Sequence, residues 1–402
     1  MKTNKRATME SEYDQKDIVV IDNGTDTIKV GISGEDYPRL IYDNKCGSHS
    51  VQNDNDNPNN KPQLLFGQDL KKVIREKKLN VQLSNPIKDG KIDNVESMKE
   101  FWQYILEDGL QISELQQVNL LIIDQVKNTK EYKSKLAEVF FDYLKVQSVL
   151  FMNSASLSLF STGLVSGLSI ELGHAVNTVV PIYQGFPIMH ALEFSHISGA
   201  EITQCLENDL KTYEISLDKF SEEEKLWIIK DIKEKMCYIA SDYEMQVNSE
   251  DNYTEEEKSY ELPDEQVIQI TPKIRYHCSE ALFDSNIVNK NSFSLPQMIV
   301  NSIQRCDKEL RQELVSNMVL GGGTSMFQGL ISRLQDDICQ IYPGGAMRSE
   351  FNFVADFQRK YSAWIGGSML GSLKTFQSLA INKQEYEENP EGKMSLIHKR
   401  TF

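Results

Sequence analysis

The chain has 402 residues, too many for one compact core and suited to two large lobes. Its 40% hydrophobic and 25% charged residues fit an ordinary globular protein. A net charge of -16 argues against nucleic acid as the main partner, because phosphates would be repelled.

No apolar run reaches the ~18 residues of a membrane span, and the polar N-terminus lacks the apolar stretch of a secretory signal. The six cysteines are Cys46, Cys205, Cys237, Cys278, Cys306 and Cys339. None forms a C-x-x-C pair, so spacing gives neither a zinc nor a redox motif. They read as thiols of a reducing compartment, and the chain as intracellular.

In chain order, residues 1–16 read as a flexible tail. DIVVID (17–22) and TIKVGISG (27–34) are two strands, with Asn23-Gly24 expected to close them in a tight hairpin turn. Residues 44–62 are almost entirely polar. Their run QNDNDNPNN cannot bury apolar surface and is expected to be a disordered loop. Order resumes at LLFGQDLKKVIREKK.

Apolar residues fall at helical spacing from Val95 to Leu110. NLLIID (119–124) is a buried-type strand, followed by a helix to about Tyr143, a strand from Val146 to Met152 and a small-residue helix over 155–163. This alternation is that of an α/β sheet covered by helices.

VNTVVPIYQG (176–185) reads as a strand pair or hairpin. FSEEEKLWIIKDIKEKMCYIA (220–240) is an amphipathic helix with a serine N-cap and an acidic first turn. The acidic stretch from Ser241 to Glu265 reads as linker-like. A helix is expected at 296–305. NMVLGGGTSMFQG (317–329) is a strand, a glycine turn and the start of a helix. The end of the chain carries the glycine-rich helix WIGGSMLGSLKTF and a basic tip, HKRTF. There is one internal echo: a hairpin opens at Asp22 and another near Glu171.

The blocks IDNGTDTIKVGISGEDYPR, VVPIYQGFPIMHAL, IIKDIKEKMCYIASDYE, KSYELPDEQVI, EALF, VLGGGTSMFQGL and RKYSAWIGGSMLGSLKTFQSLAINKQEYEE carry a resemblance. In this order they resemble the actin family, over about Asp17 to Phe402. The resemblance implies an α/β, actin-like fold of the actin/hexokinase, ribonuclease H-like kind. That fold is two-lobed, with a central nucleotide cleft and four subdomains. Carried onto this chain, subdomain 1 takes 17–43, 80–161 and 362–402, and subdomain 2 takes 44–79 with the Asn-rich loop. Subdomain 3 takes 162–197 and 287–361, and subdomain 4 takes 198–286.

The resemblance also implies site residues. Asp22 and Glu171 are the metal-side carboxylates. Gly24, Thr25 and Lys29 face phosphates from the first turn, and Gly173 does so from the second. Lys233, Glu234, Gly323, Thr324, Met326 and Lys360, with Tyr361, match the family's adenosine side. The implied ligand is ATP or ADP with Mg2+.

Several positions depart from the family. Asp26 stands where a glycine is usual, and a carboxylate there repels phosphate. The second turn reads Glu171-Leu172-Gly173-His174-Ala175 where the family has Asp-Ser-Gly-Asp-Gly. Ser154 replaces a water-orienting glutamine and Thr178 a histidine. Hydrolysis needs a water aligned with the γ-phosphate, so ATP turnover is expected to be weak or absent.

The expected role is a non-catalytic or weakly catalytic structural subunit of a larger cytoskeletal assembly. Its expected partners are other subunits, actin among them, without nucleic acid or membrane. The alternatives are a nucleotide-hydrolysing, filament-forming actin and a nuclear subunit of a chromatin-remodelling complex. The expected place is the cytoplasm and cytoskeleton, with cilium, axoneme or nucleus as alternatives. Without the family, Lys233 and Glu234 read as an exposed charged pair on a helix, and Cys237 and Met326 as core residues.

Overall fold

The computed structural model describes residues 17–49, 63–76, 81–248, 257–345, 347–388 and 393–400. The N-terminal tail, the Asn-rich run and the middle of the acidic stretch fall outside the described residues. The chain divides into two units, Met1–Ser154 with Gly367–Phe402, and Ala155–Gly366.

In the first unit, β1 (Ile18–Asn23), β2 (Thr27–Ile32) and β3 (Leu40–Asp43) form an antiparallel meander. The next strands, β4 (Cys46–His49), β5 (Gln63–Leu65) and, beyond α1 (Gly67–Glu76), β6 (Gln82–Ser84), pair as a small separate sheet. Of the polar stretch 44–62, residues 46–49 are therefore strand, while the run expected to be a disordered loop lies outside the described residues. Cys46 is buried, and β4 gains partners on both sides. A short hairpin, β7 (Ile87–Lys88) with β8 (Lys91–Ile92), leads to α2 (Val95–Tyr104).

β9 (Asn119–Asp124) runs parallel to β1. After α3 (Lys130–Glu138), β10 (Ser148–Asn153) runs parallel to β9. Every residue of β9 and β10 is buried, as expected of parallel strands covered on both faces. Val19, Trp102, Phe140 and Phe151 belong to the core of this unit. The strand order is β10-β9-β1-β2-β3, with the short strand Ile381–Asn382 outside β10.

The β1–β2 hairpin forms, but not through the tight Asn-Gly turn. Asn23 is still within the ladder opposite Ile28, and Gly24 does not take a positive φ. A two-residue turn of that type needs left-handed backbone at both central residues. Here the loop is longer because the chain beyond β3 ties it down. Asn44 donates from its side-chain amide to the Thr25 carbonyl at 2.7 Å and from its backbone N–H to the Asp26 carbonyl at 2.8 Å.

The second unit opens in α4 (Ser154–Phe160), whose first residue closes the first unit. β11 (Gly167–Leu172), β12 (Asn177–Tyr183) and β13 (Phe186–Pro187) form a second antiparallel meander, and β14 (Glu193–Ser195) pairs with β12. α5 (Gly199–Thr212) and α6 (Glu222–Met236) follow. α6 starts in a capping box: Ser221 accepts from the Glu224 N–H, and Glu224 accepts from the Ser221 N–H. It stops at Met236, short of the expected end, because Cys237 turns extended and Tyr238 bridges to Gln328.

The stretch expected to be linker instead holds α7 (Tyr243–Asn248) and β15 (Lys258–Glu261), which pairs in a hairpin with β16 (Val267–Ile270) just beyond it. Ile268 and Ile270 are buried while Val267 and Gln269 face outward, an alternation that the surrounding charges mask. Then come α8 (Pro272–His277), α9 (Leu295–Arg305) and α10 (Lys308–Ser316). β17 (Met318–Gly321) runs parallel to β11, followed by α11 (Leu330–Ile341) and β18 (Phe353–Val354), which runs parallel to β17. α12 (Ser362–Gly371) leads back into the first unit.

The second sheet therefore reads β13-β12-β11-β17-β18, which is the order of the first sheet read the other way along the row. In each unit a hairpin and a third strand lie on one side, and two parallel strands on the other. The internal echo is a repeated topology. Among the described residues, no helix is long and apolar enough to cross a membrane, and no cysteine is disulfide-bonded.

Candidate functional site

The first hairpin turn of each meander, β1–β2 and β11–β12, uses the same backbone device. A Cβ added at Gly24 would sit 2.4 Å from the carbonyl oxygen of Thr27, three residues on. A Cβ added at Gly173 would sit 2.8 Å from the carbonyl oxygen of Val176, again three residues on. Only glycine fits at either place, which leaves a backbone surface that a ligand can approach closely.

In the first turn, Asp22 and Lys29 are ladder partners, and the Lys29 ammonium lies 2.7 Å from the Asp22 carboxylate. Both side chains are largely buried, so solvent screens the pair only partly. The neighbouring Asn23 accepts a hydrogen bond from the indole N–H of buried Trp102 at 3.1 Å. The Thr25 hydroxyl accepts from the Gly90 N–H at 3.0 Å. The turn is thus fixed from outside by Asn44, Gly90 and Trp102, none of which the sequence reading singled out.

In the second unit most of the expected residues gather around one turn. The Gly173 carbonyl accepts from the Gly199 N–H at 3.0 Å and from the Thr324 hydroxyl at 2.9 Å. The His174 carbonyl accepts from the Ala200 N–H at 2.7 Å and the Ser198 hydroxyl at 2.6 Å. Lys233 is buried, and its ammonium donates to the Gly199 carbonyl at 3.0 Å and the Thr203 hydroxyl at 2.8 Å. Hence Lys233 is not half of an exposed pair. Glu234 beside it is exposed. Cys237 is buried, as its core reading had it, but Met326 is exposed.

Gly321 to Thr324 press against the same hairpin. Gly322 has φ +84°, and a Cβ there would lie 2.3 Å from the Leu172 carbonyl oxygen. Gly323 has open space at its Cβ position. Glu171 is flanked in the ladders by Thr178 and Gly321, and its carboxylate accepts from the Ser158 hydroxyl at 2.7 Å. Ser158 in turn lies 3.0 Å from the Ser362 hydroxyl. Lys360 stacks over the Tyr361 ring at 4.8 Å. Sequence reading missed Ser158, Gly199, Thr203 and Ser362. The one local signal beside them is Ser198, an N-cap residue type directly before Gly199 at the start of α5.

Thr178 is buried, and Ser154 is half-buried at the start of α4. Their hydroxyls are shorter than the side chains that the resemblance assigns to water positioning, and neither has an imidazole's basicity near neutral pH.

The protein defined by these features is an α/β molecule of two topologically repeated units, each opening in a glycine-bearing hairpin turn. The family model described as Actin matches residues 13–402. The chain belongs to the actin family.

Proposed function

We propose that this chain is a structural actin-family subunit of a larger cytoskeletal assembly that binds ATP or ADP with Mg2+ and hydrolyses it weakly or not at all. The observation that carries this reading is a contrast. Both turns keep glycine where a Cβ would intrude, while Ser154 and Thr178 occupy the positions tied to hydrolysis. Members of the family bind ATP or ADP with Mg2+, and the residues present fit such a ligand. Gly24, Thr25, Lys29 and Gly173 would meet phosphate. Asp22 and Glu171 would offer carboxylates to the ion. Lys233, Glu234, Gly323, Thr324, Met326 and Lys360 would hold the adenosine side. When bound, the Mg2+ supplies charge neutralisation for the triphosphate. In this reading the nucleotide acts as a clamp that stabilises the folded state. The four-subdomain division and a cytoplasmic location belong to the same reading.

The test pairs binding with turnover. Mg-ATP at 100 times its Kd is expected to add about 2.7 kcal/mol to unfolding stability. Phosphate release from the pure protein is expected to stay at background. The double substitution Ser154→Gln and Thr178→His is expected to raise release by roughly tenfold or more, since a positioned base or water contributes about 10²–10⁴. An actin-like release rate in the unsubstituted protein would overturn the reading. A robust pellet of the pure protein in Mg-ATP would favour a filament-forming actin instead. Co-purification with chromatin-remodelling subunits would favour the nuclear alternative.

A further inference from the structure

Away from the hairpin turns, three metal-type side chains converge in the second unit. Cys205 and Asp209 sit four residues apart on α5 and so share one face of that helix. His277 ends α8. The Cys205 sulfur lies 4.0 Å from the nearer Asp209 oxygen and 3.9 Å from His277 Nδ1, and those two atoms are 2.9 Å apart. A point in the plane of the three atoms is therefore about 2.1 Å from each, inside the roughly 2.0–2.3 Å range of zinc–ligand bonds.

We propose that Cys205, Asp209 and His277 form a binding site for a borderline-soft divalent cation of the zinc class. A thiolate, an imidazole and a carboxylate make a donor set that suits zinc or cobalt, whereas magnesium prefers all-oxygen shells. The ligands sit on two helices of one unit, so the backbone needs no rearrangement to present them. Cys205 is buried, while the side chains of His277 and Asp209 keep 28% and 15% exposure. That exposure leaves a fourth position for water. The Tyr243 ring packs against the imidazole at 6.4 Å between centroids and helps hold its plane. Burial and the Asp209 charge push the Cys205 thiol up to about 12, so the proton lost on binding costs affinity and binding strengthens as pH rises. The competing explanation is a simple His277–Asp209 hydrogen bond beside an inert thiol.

The experiment is cobalt titration of the full-length, chelator-treated protein with Mg2+ present, followed by zinc displacement. The expected result is one equivalent of Co2+ with a near-ultraviolet thiolate-to-cobalt band, bleached by Zn2+. Cys205→Ser is expected to abolish the band, and Cys339→Ser to leave it unchanged. Losing an outer-sphere partner of a metal site costs roughly 10–100-fold in affinity, so His277→Gln, which removes a direct ligand, is expected to cost at least that. The partly exposed position of His277 keeps this variant informative even if Cys205→Ser misfolds. No thiolate band with Co2+ in excess, or wild-type zinc affinity in His277→Gln, would overturn the proposal.

Discussion

Asp124 ends β9 buried in the first unit, and burial pushes its carboxyl up to about 6 against the pull of the Asn128 amide and Lys133. Asn128 donates to one of its oxygens at 2.5 Å, and the other oxygen has no partner among the described residues. An acid raised in the folded state holds its proton more tightly there than in the unfolded chain. Its contribution to stability is therefore full below about pH 4 and is lost as pH rises through about 6. Across that window the loss is roughly 3 kcal/mol. Asp124→Asn should flatten this part of the stability profile, which urea denaturation at mildly acidic and mildly alkaline pH measures as a variant-minus-wild-type difference. No change in that difference would mean that Asp124 is ionised throughout.

Lys233 illustrates what a single residue hides from sequence. Its spacing places it on a helix, but only the approach of α5 buries the ammonium against Gly199 and Thr203. Cys205, Asp209 and His277 were illegible for the same reason. The four-residue step on α5 could be read, but the third ligand comes from a helix 68 positions beyond Asp209.

At the scale of elements, the central strands and the capped helix were legible because their signals are local. A continuous apolar run marked β9, and a serine N-cap with an acidic first turn marked the start of α6. The β15–β16 hairpin was not legible, because its buried alternation is only two isoleucines long within a charged stretch. The tight Asn-Gly turn was misread because Asn44, beyond β3, fixes the loop.

The turn after β17 gives a paired prediction at this scale. Gly322→Ala forces a side chain into left-handed backbone and onto the Leu172 carbonyl. It should cost at least about 1–3 kcal/mol of backbone strain alone, seen as a lowered unfolding midpoint. Gly323→Ala has room for its Cβ, so its midpoint should move by no more than about 1 kcal/mol. If the proposed nucleotide role holds, Gly323→Ala should still weaken the stabilisation by Mg-ATP. Equal midpoints for the two variants would refute the packing argument.

At the scale of the whole molecule, each unit carries its own apolar core, one around Trp102 and Phe140, the other around Ile170, Ile232 and Leu334. Chains with separate cores commonly depart from two-state unfolding. Hydrogen exchange in rising urea is expected to expose β1 and β9 peptides at a different midpoint from β11 and β12 peptides. A single shared midpoint for all four would show one cooperative block instead.

The repeated strand order has one more consequence. In the first unit the small β4-β5-β6 sheet enters after the third strand of the meander, and in the second the β15–β16 hairpin enters after the corresponding strands. Both units therefore carry their extra strands between the third strand of the meander and the first of the parallel strands that follow, leaving the paired ladders uninterrupted. Residues inserted there can change the surface that each unit presents while its own ladders stay paired.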